Sequence, residues 1–120
     1  MMQLLFHLWG DYITQNEWMS KHKAKRGIEG LRACLIHCLL YSAPFAFISS
    51  QPAWCVIFFS HFFIDRYRLA IVLIRIKNWE WDSDNFGFGK QTPIWLSTWL
   101  FIIIDNILHV TINYLAIRFL

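Results

Sequence analysis

Apolar residues fall in long runs along this chain, and polar residues gather between them. Four apolar segments stand out. The first is short, from about Gln3 to Trp18; the second runs from about Ile28 to Ile48, the third from about Pro52 to Lys77, and the fourth to Leu120. None alternates with period two, and the runs are too long for strands, so each reads as a helix. Crossing a bilayer takes roughly 20 residues, with a usual range of about 17–25. Segments two to four reach that length. Segment one is marginal and is expected to tilt, to thin the bilayer locally or to insert only in part.

Local signals place the breaks between segments. Pro44 should kink the end of the second segment. Ser49-Ser50-Gln51-Pro52 reads as a tight turn, with Ser50 as N-cap and Pro52 in the first turn of the next helix. Thr92-Pro93 reads as the N-cap and first residue of the fourth helix. The third segment is interrupted by Asp65, Arg66 and Arg68 and resumes as LAIVLI. A polar-aromatic loop, NWEWDSDNFGFGK, follows it. No repeat, linker or low-complexity tract divides the chain. The expected architecture is an all-α integral membrane four-helix bundle with a short first helix, one domain over residues 1–120.

Composition supports a lipid environment. Of the 120 residues, 57% are hydrophobic and 16% charged, against roughly 45–50% and about 25% in soluble domains. A small soluble domain has too much surface for its volume to hide so much apolar area. A soluble enzyme with a large core, a nucleic-acid reader and a disordered chain all fit poorly. The expected partner is the lipid bilayer, not nucleic acid. The three cysteines, Cys34, Cys38 and Cys55, are odd in number and lie in apolar runs, which is no disulfide framework. Met1 is followed by no basic region or small-residue cleavage site, so the first segment is expected to be retained.

The net charge of +3 matters through its placement. Lys21, Lys23, Lys25, Arg26 and Arg32 lie between segments one and two. Arg75, Lys77 and Lys90 lie between segments three and four. The N-terminal tip and the Ser49–Pro52 turn have no Lys or Arg. In a four-span arrangement the positive-inside rule puts both basic loops in the cytoplasm and both termini outside an inner (cytoplasmic) membrane. Arg118 is the one dissenting charge.

Ionisable groups inside spans are costly and usually mark function. Here they recur in a pattern: His7 and Asp11 on segment one, His61 and Asp65 on segment three, Asp105 and His109 on segment four. Each pair is spaced i, i+4 and so shares a helix face. Segment two adds His37. The order within the pairs reverses on segment four, which would run antiparallel to segments one and three. All the histidines then fall in one layer and all the aspartates in the next layer inward. Imidazoles and carboxylates converging inside a bundle suit one or two divalent ions, zinc first, with manganese or iron as alternatives. The expected ligands are His7, Asp11, His37, His61, Asp65, Asp105 and His109. Asp11, Asp65 and Asp105 are also candidate catalytic carboxylates, one of them free to act as general base. The alternative is a hydrogen-bonded network without metal, in which each Asp pairs with a His or with Arg66 or Arg68.

Gln15, Tyr41 and Asn113 continue the same faces and could orient ligands or simply bond between helices. Arg66 and Arg68 could bind a phosphate oxyanion beside Asp65 or extend to the cytoplasmic interface. Cys34, His37 and Cys38 could ligate a soft metal, although cysteine in an apolar helix usually only packs.

At these residues the chain resembles domain-of-unknown-function family 3307, short polytopic membrane proteins of bacteria and their phages. The opening HLWGDYITQNEWM carries the family's H-L-x-x-D-[FY]-x-x-Q-x-x-x-M pattern at His7, Asp11, Gln15 and Met19, with Lys23 shortly after. His37, His61, Asp65, Asp105, Asn106 and His109 match the rest. The chain departs where Arg66 follows Asp65 and where Asn106 stands in place of a common Gln. A looser similarity, to inner-membrane proteins described as metal-dependent hydrolases, implies hydrolytic chemistry by analogy. Three functions follow as expectations. The first is a metal-dependent hydrolase acting on a lipid-like or phosphorylated substrate. The second is a proton or metal-ion channel or transporter subunit, which would need a homo-oligomer. The third is a non-catalytic bacterial or phage membrane interaction protein using the Trp79–Phe88 loop.

Overall fold

The computed structural model describes residues 1–120, and the chain is all-helical. Six α-helices follow in order: α1 (Met2–Leu8), α2 (Glu17–His22), α3 (Ile28–Ser42), α4 (Gln51–Tyr67), α5 (Leu69–Asn78) and α6 (Ile94–Phe119). A π-helical turn, Trp9–Ile13, continues α1, and a 3-10 turn, Ala43–Phe47, continues α3. Ile28–Phe47 and Ile94–Phe119 are long and apolar enough to cross a membrane.

Three helix boundaries reflect local chemistry. Pro44 cannot supply an α-helical N–H, and α3 tightens into the 3-10 turn around it. Ser50 caps α4 as its spacing implies, its hydroxyl accepting from the Ala53 amide at 3.2 Å. At α6 the expected cap shifts by one residue. Pro93 takes the N-cap position and Thr92 offers no side-chain cap. The cause is Asn85, whose side-chain amide donates to the Thr92 carbonyl at 2.9 Å and holds that residue in the preceding loop.

The first and third apolar segments are each broken. The first stops at Ile13, and Asn16 starts a separate short helix by accepting from the Met19 amide at 2.9 Å. The third is not one rod. Arg68 adopts a left-handed conformation, φ 50° and ψ 50°, between α4 and α5. The neighbouring Arg66 guanidinium is drawn onto the carbonyls of Lys23 and Lys25 in the loop before α3. This tie anchors the end of α4 to the basic loop, and α5 leaves at a new angle to pack on α6.

The bundle has an unusual distribution of polarity. Nine of its 25 buried residues are polar or charged, among them His7, His37, His61, Asp65, His109 and Asn113. Large apolar side chains such as Trp99, Ile103, Ile107 and Leu115 on α6 face outward. The apolar core is small: Tyr41, Phe45, Ala53, Ile57 and Ala116 pack together at one side of the histidines. The π-helical turn lies tightly against α3. A Cβ placed on Gly10 would meet Tyr41 Cδ2 at 2.5 Å and the Tyr41 Cα at 3.1 Å.

That contact leaves no room for a methyl group. Gly10→Ala is expected to push α1 off α3 and to cost about 1–3 kcal/mol. The readout is a lower unfolding midpoint of the purified protein in detergent.

Candidate metal centre

Four elements bring one ionisable group or more to the middle of the bundle. The π-helical turn carries Asp11, α3 carries His37, α4 carries His61 and Asp65, and α6 carries Asp105 and His109. The extra residue of a π-helical turn re-aims side chains, and such turns favour functional positions. Here it lets Asp11 reach the cluster while Gly10 meets Tyr41.

Asp11, His37, His61 and Asp65 form a group that can hold a metal ion. His37 Nε2 and His61 Nε2 are 2.8 Å apart. Asp65 Oδ2 lies 3.0 Å from the first and 3.3 Å from the second. Asp11 Oδ1 lies 3.3 and 3.4 Å from the same two nitrogens. A tetrahedral zinc with ligands at about 2.0–2.1 Å keeps its donors about 3.3–3.4 Å apart. Three of these five distances match that spacing and the other two are shorter, so the four donors converge closely enough to surround one ion.

Hydrogen-bond logic assigns the tautomers around this group. Asp65 Oδ1 can only accept, so His109 Nε2, 3.2 Å away, donates to it. His109 Nδ1 is then an acceptor, and His61 Nδ1 donates to it at 3.1 Å. That leaves a lone pair on His61 Nε2, aimed at His37, Asp11 and Asp65. Asp11 Oδ1 is buried without a hydrogen bond despite its short distances to both imidazoles, and His37 Nδ1 is likewise unpartnered. His37 Nε2 can supply at most one proton to the acceptors that converge here, and a cation could satisfy the rest.

One cation of the protein's own is already close. Lys23, from the loop after α2, places Nζ 2.6 Å from Asp65 Oδ2. Burial works against its charge, but Asp65 beside it prevails, and the Lys23 pKa lies above the ordinary lysine value. One lysine does not balance buried Asp65 and partly buried Asp11 together, and a divalent ion would.

A second group, Asp11, Asp105 and His109, also brings its ligand atoms within 4.8 Å of one another. It is less complete. Asp105 Oδ2 is 3.6 Å from His109 Nε2, the nitrogen that donates to Asp65. Asp105 lies at the edge of the cluster and lines a cavity of about 240 Å³ together with Asp11, Asp65, Lys23 and Arg68.

His7, also an expected ligand, belongs to neither group, although its Nδ1 lies 3.5 Å from Asp11 Oδ2. Its Nδ1 is 2.8 Å from the Tyr41 hydroxyl and its Nε2 is 2.6 Å from Asn106 Oδ1, so both ring nitrogens are engaged. Asn113 donates to the same hydroxyl at 2.7 Å, and Asn106 donates to the Tyr12 hydroxyl at 2.7 Å. This chain of bonds is satisfied by protein groups alone. It meets the centre directly at Asp11 and also through Tyr41, whose ring stacks on His61 with centroids 3.6 Å apart. Gln15 hydrogen-bonds within its own turn and lines the cavity. Cys34 and Cys38 lie 3.9 Å apart, and neither belongs to a metal-holding group.

Sequence spacing did not single out Lys23 among the basic-loop charges, or Asn106 as the partner of His7. The available signal was their place in the family pattern, next to Met19 and Asp105. The two halves of the cluster should respond differently to substitution. Tyr41→Phe strands the buried Asn113 amide, with an expected cost of about 1–3 kcal/mol in detergent unfolding. His7→Ala should lower stability without removing a bound divalent ion, whereas His61→Ala should abolish binding; equilibrium dialysis separates the two.

No curated protein and no solved structure matches the chain. One family model, described as a protein of unknown function, matches residues 1–119. With nearly its whole length covered, the chain belongs to the DUF3307 family.

Proposed function

We propose that this chain is a multi-pass membrane protein whose buried His/Asp cluster binds zinc and hydrolyses a lipid-like or phosphorylated substrate. The observation that carries this reading is the convergent set Asp11, His37, His61 and Asp65, with an unpartnered carboxylate oxygen facing two imidazole nitrogens. Manganese or iron would suit the same donors.

The membrane assignment rests on polarity. A charged interior and an apolar exterior, as along α6, are the reverse of a water-soluble arrangement. The four-span bundle has α1 with its π-helical turn, α3, α4 and α6 as its walls. The basic loops then lie in the cytoplasm of a cell whose inner membrane holds the protein. The cavity is lined partly by Ser20, Lys23 and Ala24 of the first basic loop, so it opens on that side.

A divalent ion in the cluster would supply Lewis acidity, lowering the pKa of water and polarising a carbonyl or phosphoryl oxygen. The chain's own residues do the rest. Asp65 orients the His109–His61 pair, so His61 presents its lone pair inward. Tyr41 fixes the plane of the His61 ring. Asp105, facing the cavity from the edge of the cluster, is placed to take a proton from water as general base or to hold a second ion with Asp11 and His109.

A proton or metal-ion conductor is the second reading, favoured by the His37–His61–His109 chain with contacts of 2.8 and 3.1 Å. Against it, Tyr41 stacks on His61 and packs with buried Phe45, Ala53, Ile57 and Ala116 in an apolar cluster that offers an ion few polar groups. Liposome flux separates the two readings.

Protein purified in detergent is expected to carry about one or two divalent ions per chain, measured by elemental analysis. His61→Ala combined with Asp65→Ala should lose them, while Asp105→Asn should keep the first ion. Stoichiometric metal missing from the parent protein, or retained in the double variant, sinks the metal-site reading.

A further inference from the structure

Two arginines flank the end of α4, and the fold treats them differently. Arg66 is spent on the carbonyls of Lys23 and Lys25. Arg68 makes no side-chain hydrogen bond or ion pair with the protein, yet it lines the cavity that leads to Asp65 and Asp105. Its backbone occupies a left-handed conformation that side chains with a Cβ disfavour. The break at this residue, which separates α4 from α5, brings its guanidinium to the rim.

Charge decides what such a cavity accepts. Its walls carry three carboxylates, Asp11, Asp65 and Asp105, and two cations, Lys23 and Arg68. Alone they sum to one net negative charge. One divalent ion in the cluster turns that into one net positive charge, and a second would raise it further. The same pocket therefore changes from repelling anions to attracting them when the centre is loaded. At about 240 Å³ it is several times larger than the roughly 30 Å³ share of one water in the liquid. There is room for a polyatomic headgroup. Ile64, Phe101 and Ile102 make part of the wall apolar, beside the exposed Tyr12. A polar head at the centre with an alkyl tail leaving along that wall matches this division.

We propose that Arg68, with Lys23 deeper in the cavity, is the anion anchor that holds the phosphate of a phosphorylated amphiphile against the metal centre. The inference rests on the metal-site reading above and narrows its substrate class. Arg is suited to the task because its planar fork matches phosphate oxygens bidentately. Arg68 is a binding and specificity residue here, not a ligand of the ion.

The test uses the full chain in maltoside micelles, loaded with Mn²⁺ or stripped with chelator. Metal content is measured first, and calorimetric titration with dodecyl phosphate and with inorganic phosphate follows. The loaded protein is expected to bind dodecyl phosphate, and the stripped protein is not. Arg68→Gln should weaken that binding about tenfold or more at unchanged metal content, and Arg68→Lys should restore part of it. Unchanged affinity in Arg68→Gln, or no binding by loaded protein, overturns the anchor while leaving the metal site standing. Equal affinity for both probes with the same Arg68 dependence keeps the anchor and overturns the amphiphile as its source. If no metal is taken up but phosphate binding still depends on Arg68, Arg68 is an anion site independent of a metal centre, and both the anchor as proposed and the hydrolase reading fall. If neither is bound, both fall.

Discussion

Carboxylates and imidazoles do not sit together in an apolar bundle unless something neutralises them, and the arrangement of this chain follows from that constraint. Moving an ionised carboxylate into a low-dielectric interior costs several kcal/mol even after relaxation. Asp65 meets that cost with Lys23 at one oxygen and His109 at the other. Asp11 meets it less well, since one oxygen has no hydrogen bond. The imbalance is local and specific. It falls where two histidine nitrogens and two carboxylate oxygens crowd within 3.5 Å of one another along every measured edge.

The rest of the fold brings those groups into register. Gly10 allows the π-helical turn to lie against Tyr41, and Tyr41 in turn stacks on His61 and bonds to His7. Arg66 ties the end of α4 to the basic loop, which brings Lys23 over Asp65. The His7–Tyr41–Asn113 and His7–Asn106 bonds are complete without any added ion, so they behave as a brace. The centre itself is incomplete in the same sense. A satisfied frame around an unsatisfied middle is what a preorganised binding site requires.

Much of this was legible along the chain. The 3.6-residue periodicity puts His7 with Asp11, His61 with Asp65 and Asp105 with His109 on common faces. Long apolar runs and the absence of alternation point to helices, and six helices are what the chain forms. Ser50 caps where its neighbours require. Other features depend on contacts far apart in sequence. The break at Arg68 comes from the pull of the basic loop on Arg66, about forty positions away. The displaced cap at Pro93 comes from Asn85 in the preceding loop. No local pattern encodes either.

By itself the sequence determined which residue types are present, that they are helical, and which of them share a face, because these depend on neighbours within one or two turns. Only tertiary structure decided which faces meet. It separated His7, whose nitrogens are both taken by Tyr41 and Asn106, from His37 and His61, whose Nε2 atoms converge with Asp11 and Asp65. It also chose Arg68 over Arg66 as the cation open to the cavity. Seven ionisable groups on four segments can pair in many ways at equal cost in the unfolded chain. The packing of Gly10 on Tyr41 and the turn at Arg68 leave one arrangement, because close-packed side chains do not deform continuously.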